Sequence, residues 1–370
     1  MPSPTDGEET VDEEKALLAV STGVVLSEAY EGGSKASEDS DKEHMVFARH
    51  INTTGTKDGG LSPYIHNIDG LELGVHGHSG YSSPPVEKHS ITTNAKTMGD
   101  ENDVLLAHCH CQTVRFHITR PNAASRLPQS NFPDLMLAYQ APIASEQEKT
   151  SALVKNPHDE KWWLRPPPPP TPHQQQERNG SAAAADGLTR YLAGTCACRS
   201  CRLASGFEIQ TWAFVPRANI YFHVPGASRL VTDHQEITAS SEIETDGTRE
   251  REEGEVEVVP LDFSSLSDSG LLKSYESSPG VLREFCPRCG ATVFWHDRWR
   301  PDLIDVSAGL LDAPEGARAE TWLDWWTGRV SFIEDVESGR CGDPARRARA
   351  LVDALAKGLG AIGGGMVSQD

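Results

Sequence analysis

Three cysteines near the middle of the chain constrain its fold more than any other feature. Cys196, Cys198 and Cys201 follow the pattern Cys-x-Cys-x-x-Cys. Thiols this close along the chain are awkward disulfide partners, because a disulfide requires a particular separation and direction of the two side chains. They are good ligands for zinc. The spacing therefore predicts that one turn of the chain binds a zinc ion.

Four other cysteines form two further short-spaced pairs. Cys109 and Cys111 are one residue apart, and Cys286 and Cys289 are separated by two residues. A glycine follows Cys289, as in zinc knuckles, where backbone amides turn toward the sulfur atoms. Seven clustered cysteines cannot form two complete sites of four thiolates. The simplest division is a closed site made by the two pairs and an open site made by the central three.

The two groups predict different roles. Zinc held by four thiolates has no vacant position and contributes to folding, whereas zinc held by three accepts a further ligand and acts as a Lewis acid. The main alternative is that a histidine closes the central site and makes it structural as well; the candidates are His108, His110, His117 and His296. Redox chemistry through a disulfide is disfavoured, because zinc would sequester the thiolates. Cys341 lies outside both groups and is expected to be a free thiol.

Composition limits the expected compartment and partners. The 370 residues carry a formal net charge of −20, and 37% of them are hydrophobic. An acidic surface repels phosphate backbones and anionic lipid, so neither nucleic acid nor a membrane is an expected partner. The N-terminal residues lack the basic start and apolar run of a signal peptide. We therefore expect a cytoplasmic or nuclear protein that is not secreted, in which cysteines stay reduced.

The first part of the chain differs from the rest. Residues 1–103 are polar, contain no cysteine and are expected to be mostly disordered. Within them, residues 17–25 predict a buried strand and match residues 303–311 without gaps. Because a repeated segment indicates duplication, we interpret residues at about 15–70 as a degenerate remnant of a first copy of the later domain.

The cysteines define the main domain, which is expected to be mainly β. Val104 to His108 predicts a strand that enters a thiol-bearing turn, and Val114, Phe116 and Ile118 predict one face of the next strand. Trp162 and Trp163 are expected to pack rather than remain in water. The predicted domain spans residues 104–337, with long disordered inserts at about 120–187 and 233–256 and a further strand at 206–216. A C-terminal helix and tail follow at 338–370, and residues 344–362 are predicted to be helical.

At its cysteine motifs the chain resembles the glutathione-dependent formaldehyde-activating family, whose eukaryotic relatives include centromere protein V. The matching elements are Cys109-His-Cys111 with Val114 and Phe116, Cys196-x-Cys198-x-x-Cys201-Arg202 with Gly206, Trp212 and Pro216, and Tyr275, Gly280, Arg283, Cys286, Cys289, Gly290, Phe294 and Trp295. The earlier segment at about 15–70 is similar to the end of the first domain in fungal tandem members. Gln112 departs from the pattern, because the family commonly has glycine there.

The resemblance implies a β-tent fold with two zinc ions. One is a structural zinc on Cys109, Cys111, Cys286 and Cys289, and the other is an exchangeable zinc on Cys196, Cys198 and Cys201. It also implies carbon-sulfur lyase chemistry of the type that joins glutathione and formaldehyde, so a small-molecule thiol and an aldehyde are the expected partners. Glutathione is the candidate co-substrate, and Arg202 is the candidate partner for the developing oxyanion charge.

The alternative function is a non-catalytic zinc-binding module for protein interaction. Its candidate contact surface is the aromatic segment from Trp322 to Trp326. Large aromatic side chains bury well, however, so packing within the core is the expected role of this segment.

Overall fold

The computed structural model describes seven parts of the chain, and these include all eight cysteines. They are residue 47 and residues 49–51, 53–76, 103–138, 156–166, 188–225 and 256–363. Three predicted features lie wholly or largely outside them: the strand at 17–25, residues 139–155 and 167–187 of the first insert, and the second insert at 233–256 except its last residue.

Sixteen strands and three α-helices form the described chain. The strands are β1 (Arg49–Ile51), β2 (Asn67–Ile68), β3 (Leu71–Glu72), β4 (Gly74–His76), β5 (Val104–His108), β6 (Arg115–Thr119), β7 (Leu164–Arg165), β8 (Arg190–Cys196), β9 (Gln210–Pro216), β10 (Ile220–Pro225), β11 (Val256–Pro260), β12 (Lys273–Ser278), β13 (Val281–Phe285), β14 (Thr292–Asp297), β15 (Leu303–Ser307) and β16 (Leu323–Trp325). The helices are α1 (Arg199–Ser205), α2 (Phe263–Asp268) and α3 (Gly342–Gly363).

Two sheets contain most of these strands. The smaller sheet is antiparallel and has the order β11-β10-β6-β5. The larger has the order β12-β13-β14-β15-β9-β8-β16, with β7 paired to β8. Its pairs are antiparallel except β8 with β16. The predicted mainly β class is therefore confirmed, while the β-tent assignment stays a prediction.

The sheets share one hydrophobic core. Phe116 of the smaller sheet stacks on Phe222 with ring centroids 5.4 Å apart, and its ring lies 5.2 Å from that of Phe294 in the larger sheet. Val114 and Ile118 are buried on the same side as Phe116, as the alternating pattern predicts. Burial of each such side chain contributes about 1.5–3 kcal/mol, so this core holds the two sheets face to face.

Helix α3 confirms the predicted C-terminal helix and provides a surface for the N-terminal part of the described chain. Val352, Leu355 and Leu359 lie along one face and are buried. They belong to the same apolar cluster as Tyr64 and Ile65. Residues 53–76, which fall partly within the predicted remnant of a first copy, are thus packed against the C-terminal helix.

The close approach between Tyr64 and α3 depends on the absence of a side chain at Gly358. A Cβ added at Gly358 would overlap the Tyr64 carbonyl group, whereas one added at Gly360 meets no atom within 4 Å. We expect Gly358→Ala to lower the free energy of unfolding by about 1–3 kcal/mol through steric overlap. Gly360→Ala should raise it by up to about 1 kcal/mol, because alanine favours the helix. Urea denaturation of both variants measures the two free energies of unfolding. Equal changes in the two variants would show that the close approach of Tyr64 to α3 does not contribute to stability.

Part of the first insert differs from the prediction. Residues 120–138 and 156–166 are packed parts of the fold rather than disordered chain. Leu135, Trp162 and Trp163 are buried together, and the Trp163 indole donates a hydrogen bond of 2.9 Å to the Ser125 carbonyl. Burial of two indoles and a leucine offsets the entropy of ordering these segments. The predicted packing of Trp162 and Trp163 is confirmed.

Candidate metal centres

The first cysteine group joins the two sheets. Cys109 and Cys111 lie in the turn between β5 and β6 of the smaller sheet, and Cys286 and Cys289 lie in the turn between β13 and β14 of the larger sheet. All four sulfur atoms lie within 4.8 Å of one another. We call these residues the four-cysteine group. They could hold a metal ion that would fasten one sheet to the other.

Both turns have the backbone form of metal knuckles. In the second turn, the amide of Gly290 donates a 2.9 Å hydrogen bond to the Cys286 carbonyl, and Gly290 has φ of +73°. In the first turn, Gln112 donates the corresponding 2.9 Å bond to Cys109 with φ of +59°. This left-handed conformation favours glycine, which gives a physical reason for glycine at this position in the resembling family. Gln112 adopts the same turn with strain.

The sulfur spacing of the four-cysteine group fits zinc. Zinc–sulfur bonds of about 2.3 Å in a tetrahedron place sulfur atoms about 3.8 Å apart. The sulfur of Cys111 lies 3.5 Å from that of Cys109 and 3.6 Å from that of Cys286. Burial raises the pKa of Cys109 to about 12. For Cys111 burial acts in the same direction, but contacts with Thr113, Cys109 and Cys286 together outweigh it and lower the pKa to about 6. Metal binding is therefore expected to release protons from this group.

The second group is built by the start of a short helix. Cys196 ends β8, the sulfur of Cys198 caps the N-terminus of α1, and Cys201 lies in the first turn of α1. The amide of Cys201 donates a 3.2 Å hydrogen bond to the Cys198 sulfur. The three sulfur atoms lie within 4.8 Å of one another. We call these residues the three-cysteine group, and they too could hold a metal ion.

The electrostatic surroundings favour the thiolate form at one member of the three-cysteine group, Cys201. Contacts with the neighbouring thiols and burial raise the pKa of Cys196, and, against an opposing contact with Cys196, contact with Cys201 and burial raise the pKa of Cys198. Contacts with Cys196 and Cys198, together with the Arg283 guanidinium, hold the pKa of the Cys201 thiol well below its usual range despite burial. One Arg283 nitrogen, Nη2, lies 3.5 Å from the Cys201 sulfur. A thiolate is the form that ligates metal. Three thiols in one turn with a cation beside them are therefore a fitting donor set for zinc.

The two groups differ in access. A cavity of about 680 Å³ is lined by all three members of the three-cysteine group and by no member of the four-cysteine group. Its wall includes Phe132 and Trp162 from the packed parts of the first insert, and Trp212 and Trp295 from the larger sheet. A volume of this size is in the range of small-molecule sites. The three-cysteine group therefore lies in the wall of a cavity large enough for a small-molecule ligand.

No histidine joins the three-cysteine group within the described residues. His108 lies 3.2 Å from the Cys109 carbonyl, His117 lies 2.7 Å from His223, and His296 lies 2.9 Å from Glu284. His110 is exposed. The histidine-closed alternative thus has no support in this part of the chain.

The structure places Arg202 away from the cavity. Its side chain is 1% exposed, and Nη2 donates a 2.8 Å hydrogen bond to the Ser338 carbonyl. It does not line the cavity that the three cysteines face. Burial, followed by the nearby Arg340, lowers the pKa of Arg202. Its position indicates that Arg202 anchors α1 to the fold through Ser338 and does not contact a ligand in the cavity.

Comparison with known proteins gives no family for this chain. It matches no protein-family model and no curated protein. No helix in the described ranges has the length and apolar character needed to cross a bilayer.

The sequence assigned no role to several charged residues of the cavity, among them Arg283, Arg300 and Asp305. Burial raises the pKa of Asp305 to about 7, although Arg300 opposes the shift. Arg300 donates a 2.7 Å hydrogen bond to Asp305. Arg283 could have been found, because it stands in the motif shared with the resembling family three residues before Cys286. Arg300 and Asp305 carry no such local signal, because strand pairing brings them to the cavity.

Proposed function

We propose that this chain is a zinc-dependent carbon-sulfur lyase of the glutathione-dependent formaldehyde-activating type. It would add a thiol to a small aldehyde, or catalyse the reverse cleavage. One observation carries the proposal: the three-cysteine group faces a cavity of about 680 Å³, whereas the four-cysteine group does not. The resemblance at the cysteine motifs supports the same reaction class. In this proposal the four-cysteine group holds the structural zinc, and the three-cysteine group holds the exchangeable one.

The reaction is an addition across a carbon-oxygen double bond. The thiol loses its proton to water, its sulfur forms a bond to the carbonyl carbon, and the π electron pair moves to oxygen, which then takes a proton from water. Zinc on the three-cysteine group would supply Lewis acidity toward the carbonyl and favour the thiolate form of the substrate. The cavity aromatics would confine the two reactants beside the three-cysteine group, which raises their effective concentration.

The protein-interaction alternative has less support. It needs an exposed aromatic segment from Trp322 to Trp326. Trp322 is 5% exposed, and the Arg120 guanidinium lies 3.5 Å from its ring centroid. Trp325 donates a 2.8 Å hydrogen bond to the Arg318 carbonyl. These contacts pack Trp322 and Trp325 within the fold, so the segment does not present an exposed aromatic surface.

Metal analysis with thiol competition tests the proposal. We expect the purified full chain to contain about two zinc ions, one for each cysteine group. Excess glutathione or 2-mercaptoethanol should displace or re-ligate one ion only, because only the three-cysteine group leaves a coordination position vacant. Zinc release measured with a chromogenic chelator, and the X-ray absorption spectrum of the retained zinc, report the exchange. Two ions that both resist thiol would overturn the open-site proposal.

An activity screen tests the reaction itself. Thiols are combined with aldehydes, and hemithioacetal formation is measured above the spontaneous rate. Cys198→Ala provides the matched control, because it removes a ligand of the three-cysteine group and leaves the four-cysteine group intact. A rate that does not depend on Cys198 would exclude catalysis at this centre.

A further inference from the structure

We infer that Arg283 binds the anion that forms beside the three-cysteine group, first the thiolate of the incoming thiol and then the oxygen that gains the carbonyl electron pair. This inference rests on the proposed function and assigns one residue of the chain to its charge-bearing step. It replaces Arg202, the residue that the sequence alone offered for this role.

The position of Arg283 supports this assignment. Its side chain lines the cavity and is 4% exposed. Nη2 donates a 2.9 Å hydrogen bond to the Ser200 hydroxyl and lies 3.5 Å from the Cys201 sulfur. These two contacts hold the guanidinium against the start of α1, where the three cysteines lie. An anion at the open position of this group would be within reach of the same guanidinium.

Arg283 has unused hydrogen-bond donors. Its Nε and Nη1 atoms are buried and have no hydrogen-bond partner within the described part of the chain. A buried donor without a partner is costly, especially on a charged group, so native structures usually satisfy it with protein, water or ligand. Arg283 therefore keeps a guanidinium charge whose donors no described protein group fully satisfies.

Strand register fixes where Arg283 points. It pairs with Trp295 on β14, Trp295 pairs with Asp305 on β15, and Asp305 pairs with Phe214 on β9. Directly opposed residues of neighbouring strands project to the same face of a sheet. All four residues line the cavity. The guanidinium is therefore mounted on the rigid larger sheet rather than on a mobile loop.

The two cavity arginines differ in charge balance. Arg300 is held by carboxylates, with Asp305 at 2.7 Å and Asp297 at 3.6 Å. Arg283 has no ion pair with a carboxylate among the described residues. Three thiolates around a zinc ion carry a net charge of about −1, so an added anion needs a neighbouring cation. Arg283 provides that cation.

Arg283 is suited to electrostatic stabilisation and not to proton transfer. A guanidinium stays protonated throughout the reaction, and its planar donors hydrogen-bond to anions. When sulfur bonds to the carbonyl carbon, one negative charge moves from sulfur to oxygen over a short distance. A fixed cation beside both positions stabilises this charge without reorganising. The proton lost by sulfur and gained by oxygen is carried by water.

Arg283→Gln tests the inference, with Arg283→Lys as the charge-retaining variant. Arg217→Gln is the matched control, because Arg217 is half-buried, donates 2.9 Å to the Leu261 carbonyl and lies outside the cavity. Full-length proteins are loaded with Co²⁺ and titrated with 2-mercaptoethanol without aldehyde. The change in the sulfur-to-cobalt absorption band, relative to the band given by the cysteine ligands alone, measures thiolate affinity. We expect affinity to fall about 10- to 100-fold in Arg283→Gln, to fall less in Arg283→Lys, and to stay unchanged in Arg217→Gln. In the zinc proteins, kcat for hemithioacetal formation should fall roughly 100-fold in Arg283→Gln.

The outcomes separate the inference from the proposed function. If the sulfur-to-cobalt band of wild type does not change when 2-mercaptoethanol is added, the open site and the proposed function both fail. If wild type and Arg283→Gln bind thiolate equally and have the same kcat, the role of Arg283 is wrong while the proposed function stands. Circular dichroism and metal content report folding. If Arg283→Gln does not fold, Arg283→Lys provides the test. A thiolate affinity below that of wild type supports the role of the guanidinium. An affinity and kcat equal to those of wild type would show that its additional donors are not needed.

Discussion

Cys289→Ala is expected to unfold the chain at room temperature, whereas Cys198→Ala should leave it folded. Cys289 is exposed, so alanine removes almost no buried surface at this position. Any large effect must therefore come from the metal site. A structural zinc contributes on the order of 10 kcal/mol to folding in small zinc domains, which is comparable with the whole stability of a typical domain. The four-cysteine group links the two sheets, so loss of its metal ion should destabilise the core that they share.

Cys198 belongs to the three-cysteine group, and its replacement should disturb only the start of α1. Cys341→Ala is the matched control, since Cys341 is also exposed and lies outside both groups. Circular dichroism, thermal unfolding and zinc content of the three variants provide the measurements. Equal destabilisation by Cys289→Ala and Cys198→Ala would remove the distinction between a structural and a working site.

Local sequence signals predicted a large part of this fold and of the candidate site. Cysteine spacing was sufficient to divide seven thiols into the two observed groups, because metal ligation requires ligands at short separations along the chain. Alternation at Val114, Phe116 and Ile118 predicted a strand with one buried face. The spacing of apolar residues predicted α3 to within two residues at each end.

The remaining features depend on contacts between distant parts of the chain. Arg300 and Asp305 reach the cavity because β15 pairs with both β14 and β9, and no periodicity in the sequence specifies which strands pair. Composition suggested that the first insert is disordered, yet Trp162 anchors part of it beside the cavity. The docking of Tyr64 on α3 likewise joins residues that are about three hundred positions apart in the sequence.

Glu208→Gln is expected to lower the free energy of unfolding by about 3–5 kcal/mol, because it breaks a buried ion pair and leaves a cation without compensation. Both oxygens of Glu208 accept hydrogen bonds from Arg340, at 3.0 and 2.7 Å. The two side chains are only 6% and 1% exposed. Arg202 lies close enough to Arg340 for the latter to lower its pKa, while Glu208 opposes that shift. Removing the carboxylate would therefore leave two buried guanidinium groups facing each other.

A matched pair on the surface isolates the effect of burial. Glu334 also binds an arginine, Arg329, at 2.9 Å, but its side chain is 57% exposed. Glu334→Gln should change stability by less than about 1 kcal/mol, because water screens the pair. Urea denaturation of both variants gives the two free energies. Since Glu208 follows α1, the helix that carries Cys201 and Arg202, its loss should also release metal from the three-cysteine group before the four-cysteine group. Similar stability of the two variants would show that this buried charge cluster does not stabilise the fold around the three-cysteine group.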